Sequence, residues 1–164
     1  MTLLISENAS RGWKFIDWNG SGSGSYSGNS NSSSVQVNSP LVENATFYPG
    51  LQIFAGSNGA VAYSFGHQKG SVSGGSSFTI YAPLGTNVVL HSSPSSFLFS
   101  FSAWSEGATG TSSQTNVVLA SPATVTASFT LNAPIVGGIV GVAFVALLAV
   151  FFVLRTHGRS RQST

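Results

Sequence analysis

Apolar and hydroxyl-bearing positions alternate along Phe97-Leu-Phe99-Ser-Phe101-Ser and along Val125-Thr-Ala127-Ser-Phe129. Period two is the signature of a strand with one face in a core and the other in water, so Phe97, Phe99 and Phe101 are expected on one sheet face. Gly, Ser, Asn and Pro interrupt the chain about every 8 to 12 residues, the spacing of short-stranded all-β modules. Before residue 135 no stretch sustains helical periodicity over ten residues.

The pattern changes at Ile135. From there to Leu154, twenty residues are Ile, Val, Leu, Phe, Ala or Gly, and at about 1.5 Å per residue a helix of that length reaches about 30 Å, one bilayer core. A globular helix keeps a polar face; this one has none, which predicts a transmembrane helix over 135–154 with membrane lipid as its partner. Three of the six basic residues, Arg155, Arg159 and Arg161, follow it. By the positive-inside rule these are the topology determinants: the basic tail 155–164 is cytoplasmic and residues 1–134 are extracellular, in a single-pass protein of the cell membrane. Export requires a signal sequence, whereas MTLLISENAS has neither a basic start nor an apolar core of useful length. An N-terminal extension ahead of Met1 is therefore expected.

The ectodomain repeats itself. Trp18 and Trp104 are 86 positions apart, and laying residues 2–18 on 88–104 matches Leu3 with Val89, Leu4 with Leu90, Trp13 with Phe99, and Phe15 with Phe101. The first copy then carries four extra residues in a Ser/Asn-rich stretch, after which Val35-x-Val37-x-Ser39-Pro40 matches Val117-x-Leu119-x-Ser121-Pro122 and Ala45-Thr46-Phe47 matches Ala127-Ser128-Phe129. At its front the second copy has Ala60–Ser64, Gly70–Gly74, Phe78–Tyr81 and the turn Ala82–Thr86, with no counterpart in the first. The organisation predicted is an incomplete first β repeat lacking its N-terminal hairpin (1–48), a complete second β repeat (49–131), a short linker (132–134), the transmembrane helix and the tail.

The order Gly-Ser-Val-Ser-Gly, Ala-Pro-x-Gly-Thr-x-Val-x-Leu, Phe-x-x-Trp-x-x-Gly and Val-x-Leu-x-Ser-Pro-x-x-Val-x-Ala-x-Phe resembles the divergent internalin B-type (bacterial repeat) modules of prokaryotic and archaeal surface proteins. The resemblance covers most of residues 60–129 and, in half form, 2–47. It implies all-β tandem modules of short antiparallel sheets, or a β-grasp-like arrangement as the alternative, and a spacer, adhesion or surface-layer role without catalytic residues. Such modules also stand before the membrane helix of thermopsin-like acid proteases, so the competing reading is the anchoring stalk of an exported enzyme whose catalytic part lies upstream.

Charge removes several other functions. Only 6% of the residues are charged, and six Lys and Arg scattered along the chain cannot form the basic stripe that nucleic acid requires. Zero cysteines exclude disulfides and thiolate metal sites, and the single aspartate, Asp17, excludes Asp-rich calcium loops. Of the three histidines only His67 and His91 precede the span, and neither comes with the base, orienter or third ligand that catalysis or zinc needs. No catalytic, metal or cofactor residue is expected.

What remains is surface chemistry. Asn8, Asn19, Asn31 and Asn44 begin Asn-x-Ser/Thr acceptors for N-glycosylation. The tryptophan of each copy stands three residues after an inward Phe, where strict alternation points it outward, so burial requires a β-bulge or the strand end to re-aim it. Burial is the expectation for a repeated Trp; the alternative is glycan stacking at Trp13, Trp18 or Trp104. Gly137-x-x-x-Gly141 is a candidate helix–helix contact. The partners expected beyond lipid are surface glycans or other cell-surface proteins, and nothing in the pattern sets an oligomeric state.

Overall fold

The computed structural model describes residues 1–159. Eleven strands precede one helix: β1 Thr2–Ser6, β2 Trp13–Ser21, β3 Ser32–Gln36, β4 Val42–Ala55, β5 Gly59–Phe65, β6 Gln68–Ser73, β7 Ser77–Tyr81, β8 Asn87–Pro94, β9 Phe99–Glu106, β10 Gln114–Val118, β11 Ala123–Leu131 and α1 Ala133–Arg159. They form a two-stranded sheet β1-β3, a four-stranded sheet β10-β8-β5-β6, and a five-stranded sheet β2-β4-β11-β9 in which β7 also pairs with β4. All pairs are antiparallel except β4–β11.

Among the described residues the extensive core lies in the second repeat. Leu51, Ile53, Ile80, Val125 and Ala127 from the five-stranded sheet join Val61, Val72, Val88, Leu90 and Val117 from the four-stranded sheet in a single buried cluster. In both sheets the residues between them point the other way, as period two requires; Gln52 and Thr126 place amide and hydroxyl groups there, whereas Val89, between Val88 and Leu90, is apolar. In the first repeat Val35 is the deeply buried apolar side chain, since β1 and β3 have no strands corresponding to β5 and β6 beside them.

β4 belongs to both repeats. Its first half pairs with β2, from Val42↔Ser21 to Pro49↔Trp13, as β11 pairs with β9 in the second copy. Its second half, Gly50 to Ala55, pairs with β7 and lies parallel to β11. The last strand of one repeat thus continues unbroken into the first strand of the next, and position 48/49 lies inside a strand.

Two details differ from the pattern read off the chain. Phe97 is 68% exposed and precedes β9, so the inward face there begins at Phe99; the turn before the strand supplies no sheet face for Phe97 to occupy. In β1, Leu3 pairs with Val35, whereas in the second copy Val117, the counterpart of Val35, pairs with Val88. Leu3 therefore corresponds to Val88 and Ile5 to Leu90. The ungapped match of Leu4 to Leu90 is one residue out of register, which in a strand exchanges the faces; Leu4 is accordingly 73% exposed while Leu90 is fully buried.

The helix begins earlier than the apolar run. Asn132 O accepts from Ile135 N and Val136 N, both at 3.1 Å, and Pro134 is tolerated in a first turn whose N–H groups have no intrahelical acceptor. Ala133–Phe151 is long and apolar enough to cross a membrane, with a mean hydropathy of 2.5 and none of it buried against the protein. The helical backbone continues past Arg155 to Arg159; Arg161 lies outside the described residues.

Candidate functional site

Each repeat holds its tryptophan in the same way. In β9, Phe101 pairs with Phe129 and Ala103 with Ser128, leaving Ser102 without an opposite residue. In β2, Phe15 pairs with Phe47 and Asp17 with Thr46, leaving Ile16 unopposed. The extra residue is a β-bulge; it reverses the side-chain alternation and turns the Trp back to the side of the preceding Phe. Phe101 and Trp104 then meet with ring centroids 5.1 Å apart, and Phe15 and Trp18 at 5.6 Å. The paired Phe on the neighbouring strand adds an edge contact at 5.8 Å (Phe101–Phe129) and 5.6 Å (Phe15–Phe47).

The loop after each Trp closes over it. Trp104 bridges Gly110 and its Nε1 donates to Ser112 O at 2.8 Å; Trp18 bridges Gly28 and its Nε1 donates to Ser30 O at 3.1 Å. The burial of an indole N–H is thereby satisfied in both. The four additional residues of the first copy fall between Trp18 and Gly28, within the Gly/Ser-rich run. Trp104 is 3% exposed, which removes it as a glycan-stacking platform. Trp18 is half-buried. Trp13 is half-buried too, and lines a shallow groove of about 220 Å³ with Asn8, Ser10 and Phe47.

A larger cleft, of about 440 Å³, lies where the repeats meet. Its floor is set by the register of three strands: Gln52 of β4 pairs with Thr79 of β7 on one side and with Thr124 of β11 on the other. One step along, Gly50 pairs with Tyr81, so a position without a side chain stands beside an aromatic wall. The first repeat closes the end with Arg11 and Gly12, held by a bond from Gly50 N to Gly12 O of 2.8 Å. A Cβ at Gly12, where φ is +83°, would lie 2.6 Å from Pro122 Cβ, and one at Gly50 would lie 2.9 Å from the Tyr81 ring. Close backbone approach therefore makes the junction. At the rim, Lys14 Nζ sits 5.6 Å from the centroid of Tyr81, within cation–π range. Sequence patterning missed this cleft, because only the pairing register brings Gln52, Thr79 and Thr124 into one row.

The four acceptor asparagines, Asn8, Asn19, Asn31 and Asn44, are all exposed. On the helix, Gly141 lines a shallow apolar groove with Gly138, Val142, Val145, Ala146 and Ala149, while Gly137 is outside that lining. Arg155 and Arg159 lie on the helical segment, as given above. Among the described residues no three His, Cys, Asp or Glu side chains gather as a metal site would require.

Two repeats joined through a shared strand, each with a bulge-turned Trp, two packed β layers in the second and an apolar helix at the C-terminus define a β repeat module. Residues 50–133 match the family described as the Divergent InlB B-repeat domain; the match spans just over half of the chain, and the protein belongs to this family. It is a family of repeat and surface domains and not one of enzymes. No curated protein and no solved structure matches the chain.

Proposed function

We propose that the protein is a non-enzymatic, membrane-anchored cell-surface module acting as a spacer, adhesion or surface-layer component. The observation that carries this is the direct passage from β11, ending at Leu131, into the apolar span Ala133–Phe151, none of which is buried against the protein. An apolar helix with no protein against it is stable when lipid covers it. Arg155, Arg159 and Arg161 after the span support a cytoplasmic tail with the repeats outside, by the positive-inside rule. In the first repeat β1 and the first half of β4 each keep one edge open at the places that β5 and the second half of β4 fill in the second repeat. Further repeats would suit those edges; a catalytic domain such as a thermopsin-like protease, with this chain as its stalk, would use the same geometry.

Cell fractionation tests the anchor and its direction together. The full chain is expected in the membrane fraction after carbonate washing, with the repeats digested by protease added to intact cells and a C-terminal tag digested only after lysis. Release by carbonate would overturn the anchor; a C-terminal tag cleaved on intact cells would overturn the orientation.

A further inference from the structure

We infer that the cleft between the repeats binds an acidic saccharide. Three kinds of group converge there. Thr79, Gln52 and Thr124 present hydroxyl and amide groups side by side across three strands, and each can both donate and accept, as ring hydroxyls require of their partners. Tyr81, 37% exposed, borders the hollow above Gly50 with an apolar ring face and a polar tip, the combination suited to the C–H face and hydroxyl rim of a sugar. Arg11 contributes a guanidinium, whose fork of donors fits a carboxylate or sulfate.

Charge sets the class. Residues 1–134 hold three basic side chains, Arg11, Lys14 and Lys69, and two of them stand here: Arg11 in the lining and Lys14 over Tyr81. The lining contains no carboxylate. Farther along the same sheet face, Glu106 Oε2 accepts from Thr126 Oγ1 at 3.1 Å, so that carboxylate is engaged beyond the cleft. Two cations concentrated here, in a body whose other charged side chains are Lys69 and four carboxylates, favour an anionic ligand over a neutral one at this cleft. A saccharide fits better than an acidic peptide, because the floor offers a row of side-chain hydroxyl and amide groups and its strands have their backbone groups committed to the sheet. The inference gives the adhesion role a ligand class but does not rest on the membrane anchor, since every residue involved lies between positions 11 and 124.

The test is calorimetric titration of the detergent-solubilised full chain with four probes: hexagalacturonate, a chondroitin sulfate hexasaccharide, neutral maltohexaose and polyglutamate. Binding of either acidic sugar is expected, with no heat from maltohexaose or polyglutamate at the same concentration. Carboxylate and sulfate recognition are separated by which acidic sugar binds more tightly. Arg11→Gln should weaken that binding about tenfold, the effect of losing one charge-assisted contact. Gln52→Ala should weaken it as well, with the melting temperature of both variants unchanged. The inference is overturned if neither acidic sugar binds, if polyglutamate binds equally, or if both variants retain full affinity. Failure of the carbonate or protease experiment would leave this result intact, and the converse also holds.

Discussion

Asn19 and Asn44 face each other directly across β2 and β4, both exposed and each the first residue of an N-glycosylation acceptor. Directly opposed residues in an antiparallel pair have Cβ atoms about 5 Å apart, closer than two glycans can share. In a glycosylating host, intact-protein mass spectra should therefore show at most one of the two occupied per molecule. Asn19→Gln should raise occupancy at Asn44. Molecules carrying both glycans in high yield would contradict the pairing.

The two tryptophans should respond unequally to truncation. Trp104→Ala removes a side chain that closes the main core and should cost about 3 to 5 kcal/mol. Trp18→Ala should cost visibly less, because its surroundings leave it half-exposed. Urea unfolding of each variant measures the difference, and iodide should quench Trp18 more readily than Trp104. Equal destabilisation would mean that the first repeat covers its Trp as fully as the second.

Gly59 should tolerate no side chain. Its Cβ would fall within the ring of Phe129, and its φ needs no glycine, so Gly59→Ala isolates overpacking, at about 1 to 3 kcal/mol. Gly85, with φ +80° and open space around it, isolates the conformational effect instead; Gly85→Ala should cost about 1 to 2 kcal/mol. Placing Phe129→Leu behind Gly59→Ala should recover part of the first loss and none of the second, by thermal melts of the four proteins.

Glu106 takes a left-handed conformation, φ 70°, where an L side chain is strained. The corresponding position after Trp18, Gly20, is not in that conformation, so the strain belongs to the second repeat. Glu106→Gly should raise stability by up to about 1 kcal/mol through relief of that strain, offset in part by loss of the bond from Thr126 Oγ1. Glu106→Gln, which keeps the strain and an acceptor oxygen, should leave the melt nearly unchanged.

That the strand must depart from regular alternation to bury Trp104 was legible in the sequence, since three residues from an inward Phe is the wrong parity and two copies made the same exception; that a bulge at Ser102 does it comes from the pairing. The β class and the apolar helix were legible for similar reasons: each is written in local periodicity. Register was not. Leu3 and Leu4 are both apolar, so β1 offers no alternation to say which faces inward, and only pairing with Val35 decides it. The cleft was hidden for the same cause, because Gln52, Thr79 and Thr124 are ordinary polar residues until three strands align them. Nor does anything at Tyr48–Gly50 signal a turn-free passage between repeats.

That passage has a mechanical meaning. Tension between an outer attachment and the membrane would enter through the N-terminal end of β4 and leave through the C-terminal end of β11, which leads into the helix. The two strands are parallel neighbours over five register pairs, Leu51↔Ala123 to Ala55↔Ala127. Pulled from opposite ends, parallel strands are loaded in shear, and their hydrogen bonds resist together instead of opening one after another as in a peeled hairpin. The same continuous strand leaves no slack segment to lengthen first, so a load on the outer repeat reaches this clamp at once.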